Sequence, residues 1–303
     1  VGEGGNLGFT QRGRIEYARH GGRINTDAVD NSAGVDCSDH EVNLKILLGL
    51  AERRGDLTRK QRDVLLAEVA DDVTAHLLYD NYQQAQILSQ EEAVSATRSE
   101  AYEELMASLE AEGLLEREIE FLPSSEEMAE RRRAGRGLTR PELAVLMAYA
   151  KRSLKAALAT SDLPDDPYLE RELRRYFPPR IVERFGPLLP EHPLRRELVS
   201  MVVANDVVNS VGITFASRLV GETGADVADV CRAYWTAREV TGALARWEAV
   251  EALDGRLDPT VQNELMKGVD WLVEAIARWY LAAAPGAQLG PTIEAAAAPF
   301  AEL

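Results

Sequence analysis

The chain has little cysteine, no excess of basic charge and no long apolar run, and each shortage excludes something. Cys37 and Cys231 are the only two thiols in 303 residues, far apart and in no CxxC or Cys/His spacing. That excludes a disulfide framework and a thiolate zinc site. His76 has no second histidine at i+4, so no metal site is read from the sequence. Thirty-four basic residues stand against fifty acidic ones, a net charge of −16, which argues against sequence-independent binding to nucleic acid, a function that needs a basic stripe. The most apolar stretch, Leu198 to Val220, is interrupted by Asn205, Asp206, Asn209 and Arg218, so no membrane span is expected. No secretory signal pattern opens the chain, and with two unpatterned thiols the expectation is a reduced, cytoplasmic setting. No fixed-period repeat is visible.

What is present begins with a cluster of glycines in VGEGGNLGFT, from Val1 to Thr10. Glycine lets a backbone take positive φ and approach a ligand closely. A dinucleotide fingerprint beginning at Gly2 and Gly4 would need glycine where Leu7 stands, so this is not the phosphate loop. A chain that opens in mid-motif, without an initiator Met, is expected to be a fragment. Some twenty residues on, a β-type run from Arg23 to Ala28 feeds a loop with Asn31, Ala33 and Gly34, followed by a helix that Asp36 or Ser38 could cap. Two strand-to-loop junctions, each with an Asn beside glycines, suggest the carboxyl edge of a parallel sheet.

These residues resemble the amino-acid dehydrogenases, and most closely the large NAD-dependent glutamate dehydrogenases of bacteria. The resemblance rests on EGGN at Glu3 to Asn6 and NSAGVDCSDHE at Asn31 to Glu41. It continues through GRGLTRPELAVLMAYAK, SDLPDDPYL, YFP and VANDVVNSVGITF, phrases similar to the C-terminal part of the large enzymes. The chain departs from the family at Gly5, where Ala is usual, at Ala33, where Gly is usual, and at Asp39 and His40, which replace an aromatic pair.

The resemblance implies NAD as cofactor and L-glutamate and 2-oxoglutarate as substrate and product. It places Gly4, Gly5, Asn6 and Asn31 at the cofactor, with Asn6 beside the nicotinamide ribose and Asn31 near the ring and its carboxamide. It makes Ser38 a donor to the side-chain carboxylate of glutamate. The family's catalytic lysine, its acid and its phosphate loop lie upstream, so no catalytic residue is assigned here and the fragment alone is expected to be inactive. A homo-oligomer is implied by the same resemblance. Two other readings compete: a helical interaction or regulatory module without catalysis, and a dehydrogenase for another amino acid.

The fold expected is mainly α. Residues 1–45 read as a short α/β remnant of a Rossmann-type nucleotide-binding domain, and residues 46–303 as a large all-helical domain with a possible sub-boundary near 123–138. About 65% helix is expected. VNLKILLGLAERRG should stop at Gly55, and TRPE at Thr139 to Glu142 is a capping box with proline in the first turn. Single helices are read over LTRKQRDVLLAEVADDVTAHLLYDNY and LRRELVSMVVANDVVNSVGITFASRLV, and over DVADVCRAYWTAREVTGALARWEAVEAL. Residues 91–130 hold thirteen Glu and two Arg. There Tyr102, Leu105, Met106 and Leu109 make one apolar stripe, and the glutamates should answer the following RRRAGRG run. Asn205 and Asn209 are expected to hydrogen-bond across helices, Trp271 and Trp279 to fill a core, and His40 to be half-exposed.

Overall fold

A computed structural model describes residues 1–6 and 8–300; Leu7 of the opening loop and residues 301–303 of the helical part lie outside the described residues. Sixteen α-helices occur among them. The first five are α1 (Gln11–Arg19), α2 (Asp27–Asp30), α3 (Ser32–Arg54), α4 (Arg59–Glu68) and α5 (Ala70–Val94). Then come α6 (Ser99–Ala111), α7 (Ser125–Arg133), α8 (Arg140–Thr160), α9 (Glu170–Tyr176), α10 (Pro179–Phe185) and α11 (Arg195–Val211). The last are α12 (Phe215–Thr223), α13 (Val227–Val240), α14 (Ala243–Glu251), α15 (Pro259–Ala283) and α16 (Leu289–Phe300).

The chain is 75% helical and has no strand among the described residues. This corrects the expectation of an α/β Rossmann-type remnant at the N-terminus. Strands persist only where a neighbour completes their hydrogen-bond ladder. The Arg23 to Ala28 run finds a single such bond, from the Val1 amino group to the Arg23 carbonyl at 2.6 Å, and its last two residues already belong to α2. Ile24 is nonetheless buried.

Local signals held where they were complete. Gly55 ends α3 at φ 82°, the left-handed position that favours glycine. At the start of α8, Thr139 N and Oγ1 each donate to Glu142 Oε2 at 2.7 Å. The buried side of α3, Leu44, Leu47, Leu48 and Ala51, follows the i, i+3, i+4, i+7 rule. The acidic region buries Tyr102, Leu105, Met106 and Leu109 as its stripe suggested.

Other expectations are overturned. The helix after Asn31 starts at Ser32, ahead of both Asp36 and Ser38. The expected single helices break at Val69, at Gly212 and at Gly242. At Gly212 the axis turns by 92° between α11 and α12. Gly212 has φ 104°, and a Cβ there would lie 2.3 Å from Glu91 Oε1. That same oxygen accepts the Ile213 N–H at 2.7 Å. No single helix among the described residues is long and apolar enough to cross a membrane.

The core is one continuous apolar cluster running from Val29 to Leu289, with Trp235, Tyr234, Phe215 and Phe177 among its largest members. Trp271 and Trp279 do not belong to it, being 73% and 59% exposed. α15 turns Met266, Val273, Ala277 and Tyr280 inward, and at about 100° per residue both tryptophans fall on the opposite side. Helices α5, α8 and α11 pack on one another, and α3 lies against α5. The N-terminal segment is fastened to this group by Arg140, which donates to Asn25 Oδ1, to Ser89 Oγ at 3.0 Å and to the Ala85 carbonyl at 2.8 Å.

Candidate functional site

Where α2 and α3 meet α5, α8 and α11, a cavity of about 680 Å³ opens. Asn6 and Asn31 stand together at it, Asn31 Nδ2 donating to Asn6 Oδ1 at 3.2 Å. Asn6 takes φ 57°, a conformation asparagine tolerates better than most residues. The left-handed residue of the loop is therefore the asparagine, and Gly4 and Gly5 keep negative φ with open space where a Cβ would stand. The loop is held by Glu3, whose carboxylate takes Arg14 and the Gly8 N–H and whose own N–H donates to Asp30 Oδ2 at 2.7 Å.

From α3 come Ser32, Val35, Asp36 and Asp39, all on one face. Ser38 lies about 110° round the helix from that face; it is exposed, its hydroxyl makes no hydrogen bond among the described residues, and it does not join the cavity lining. The structure therefore brings Asn6 and Asn31 together and leaves Ser38 outside their cleft. Ser32 is the serine that faces it, accepting from Asn81 at 2.9 Å and Gln84 at 3.3 Å.

The helical part supplies the remaining wall: Asp80 and Gln84 from α5, Lys151 from α8, and Met201, Asn205 and Asn209 from α11. Sequence reasoning missed this wall. Among the described residues Asn205 and Asn209 make no cross-helix hydrogen bond, and Asn209 Oδ1 is buried without a partner. Their i, i+4 spacing on an apolar helix was the only available signal. Five side-chain amides, Asn6, Asn31, Gln84, Asn205 and Asn209, thus line one cleft.

Its ionisable groups are strongly perturbed. Burial, reinforced by Asp80, pushes the Asp36 carboxyl up to about 7, and burial raises Asp80 as well. Burial also lowers the Lys151 ammonium to about 8, the two carboxylates opposing that fall. His40 is 2% exposed, not half-exposed as expected, and burial with the nearby His76 lowers it to about 4. Its ring stacks on Tyr176 at 4.2 Å between centroids. Tyr176 in turn donates to Asp39 Oδ2 at 2.8 Å and accepts from Asn43 at 3.1 Å. Groups shifted this far, gathered in a concave site, mark it as a functional candidate.

Fold and site together define a helical protein with a polar, net-acidic cleft suited to a small ligand carrying amide and cationic groups. Comparison with known proteins places it more narrowly. Residues 135–303 match the family model described as glutamate dehydrogenase, C-terminal, and residues 1–91 match that of the bacterial NAD-glutamate dehydrogenase catalytic domain. The chain belongs to the bacterial NAD-glutamate dehydrogenase family. It is 46% identical over 303 residues to the NAD-specific glutamate dehydrogenase of Halomonas elongata, covering 100% of this chain and 19% of that protein. The protein of that name from Pseudomonas aeruginosa is also 46% identical, over 97% of this chain and 19% of its own length. The one from Mycobacterium tuberculosis is 41% identical over 281 residues, 93% of this chain and 17% of its own. The chain thus spans about a fifth of the length of these relatives.

Proposed function

We propose that the chain is a segment of an NAD-dependent glutamate dehydrogenase and that its cleft receives the nicotinamide end of the cofactor. The carrying observation is the Asn31–Asn6 amide pair at the cleft, 3.2 Å apart. The lining fits the group: amides both donate to and accept from a carboxamide, and Asn209 Oδ1 lacks a donor. Carboxylates at Asp27 and Asp39 give a negative field that suits the cationic ring of the oxidised cofactor. Bound NAD would supply the hydride acceptor for oxidative deamination of L-glutamate to 2-oxoglutarate and ammonia. Asn6 and Asn31 would orient the ring, and the α11 amides would close the opposite side. Ser38, exposed and outside that cleft, is the proposed donor to the substrate's side-chain carboxylate, at the end of the substrate far from the ring. No catalytic group is assigned to this chain. A cytoplasmic homo-oligomer belongs to the same reading.

The test separates the two ligands in the full-length protein. Asn31→Ala should raise KM for NAD about tenfold, the equivalent of roughly 1–2 kcal/mol for lost hydrogen bonding, with KM for glutamate little changed. Ser38→Ala should do the reverse. An Asn31→Ala enzyme with parental KM for NAD would remove the cleft as the nicotinamide site.

A further inference from the structure

Two short repeats of chemistry face each other across the α3–α5 contact. Asp36 and His40 are one turn apart on α3, and His76 and Asp80 are one turn apart on α5, in the opposite order. A ligand atom from each of Asp36, His40 and Asp80 lies within 4.8 Å of the others. The His76 ring is 5.5 Å from that of His40.

No arginine or lysine among the described residues forms an ion pair with any of the four, whose contacts are with one another and, for His40, with the stacked Tyr176 ring. The two carboxyls meet each other, Asp36 sharing a proton with Asp80, and the one charged contact is Asp36 Oδ1 to His40 Nε2 at 3.9 Å. A cation would take the place of the shared proton. Lys151 lines the same cleft but stays beyond ion-pairing distance of both carboxylates. His40 is almost wholly buried, its Nε2 turned toward Asp36 and its Nδ1 without a partner. With the proton on Nδ1, the Nε2 lone pair is left facing the carboxyls and free to ligate.

We propose that Asp36, His40 and Asp80, joined by His76 through a side-chain rotation, bind one divalent transition-metal ion of the zinc or manganese class. Two carboxylates and one or two imidazoles, with no thiolate, make a borderline-to-hard donor set that suits those ions. Metal–ligand distances near 2.0–2.2 Å require only a modest contraction of the cluster. Tyr176, held by Asp39 and Asn43, fixes the plane of the His40 ring by stacking on it. The ion would pin α3 to α5 directly beneath Asn31, and its binding does not depend on which cofactor occupies the cleft.

The full-length protein, stripped of metal and then dialysed against Zn²⁺ or Mn²⁺, should retain one equivalent per subunit more than the isosteric variant Asp80→Asn. Its affinity for that equivalent should exceed the variant's by more than about tenfold, the least that disturbing even an outer partner costs a metal site. Loaded with Co²⁺, the parent should show visible absorption that His40→Gln reduces. Equal metal content and affinity in parent and Asp80→Asn would overturn the proposal, whatever the folding of the His40 variant.

Discussion

Glu142 answers two demands with one carboxylate. It caps α8 through Thr139 and takes a two-pronged pair from Arg131, Nη1 and Nη2 each at 2.9 Å. Glu142 is 0% exposed and Arg131 9%. The pair explains where the arginine run goes: Arg131 leaves the acidic stretch for α8, while Arg117 inside that stretch binds Glu103 and Glu110. Removing one partner of a buried pair strands the other charge, so Arg131→Ala should destabilise the chain by about 3–5 kcal/mol, and adding Glu142→Gln should recover part of it. Urea unfolding measures both; a single variant within about 1 kcal/mol of the parent would mean that water reaches Glu142.

At the scale of elements, helix ends were readable where the signal sat within four residues, as at TRPE and at Gly55. Breaks inside apolar helices were not. Gly212 looks like one tolerated glycine in a periodic run, and its reason lies 121 positions earlier in Glu91, which is 2% exposed and also accepts from the Tyr102 hydroxyl. Gly212→Ala would place a methyl against that carboxylate in a positive-φ position. It should cost more than about 2 kcal/mol, seen as a lower urea midpoint; an unchanged midpoint would show that Glu91 can swing aside. The Asn6 and Asn31 elements were legible as motifs, whereas the facing Asp/His pairs of α3 and α5 were not, because each pair alone is an ordinary helical spacing. The β-type run from Arg23 to Ala28 forms no strand for a related reason: β-type residues make a strand only when a neighbour exists to pair with them.

Across the whole molecule, tryptophan divides into two populations. Trp235 and Trp247 are buried, the latter donating to Asp270 Oδ1 at 2.9 Å, while Trp271 and Trp279 lie on the open side of α15. Composition cannot separate them; only the angle around α15 does. Acrylamide should quench Trp271 and Trp279 in the free chain and spare the other pair, and the double replacement Trp271→Phe with Trp279→Phe should abolish most of the quenchable emission. Uniform protection of all four would indicate that this side is covered.

One rod reaches both ends of the site. Arg140 begins α8 and grips the N-terminal segment, Gln11 adds a bond to the Pro141 carbonyl at 3.2 Å, and Lys151 enters the cleft eleven residues later. Eleven residues are close to three whole turns, about 16 Å along the axis, so Arg140 and Lys151 project in nearly the same direction. A twist or slide of α8 would therefore shift the grip of Arg140 on Asn25 and the cleft lysine together.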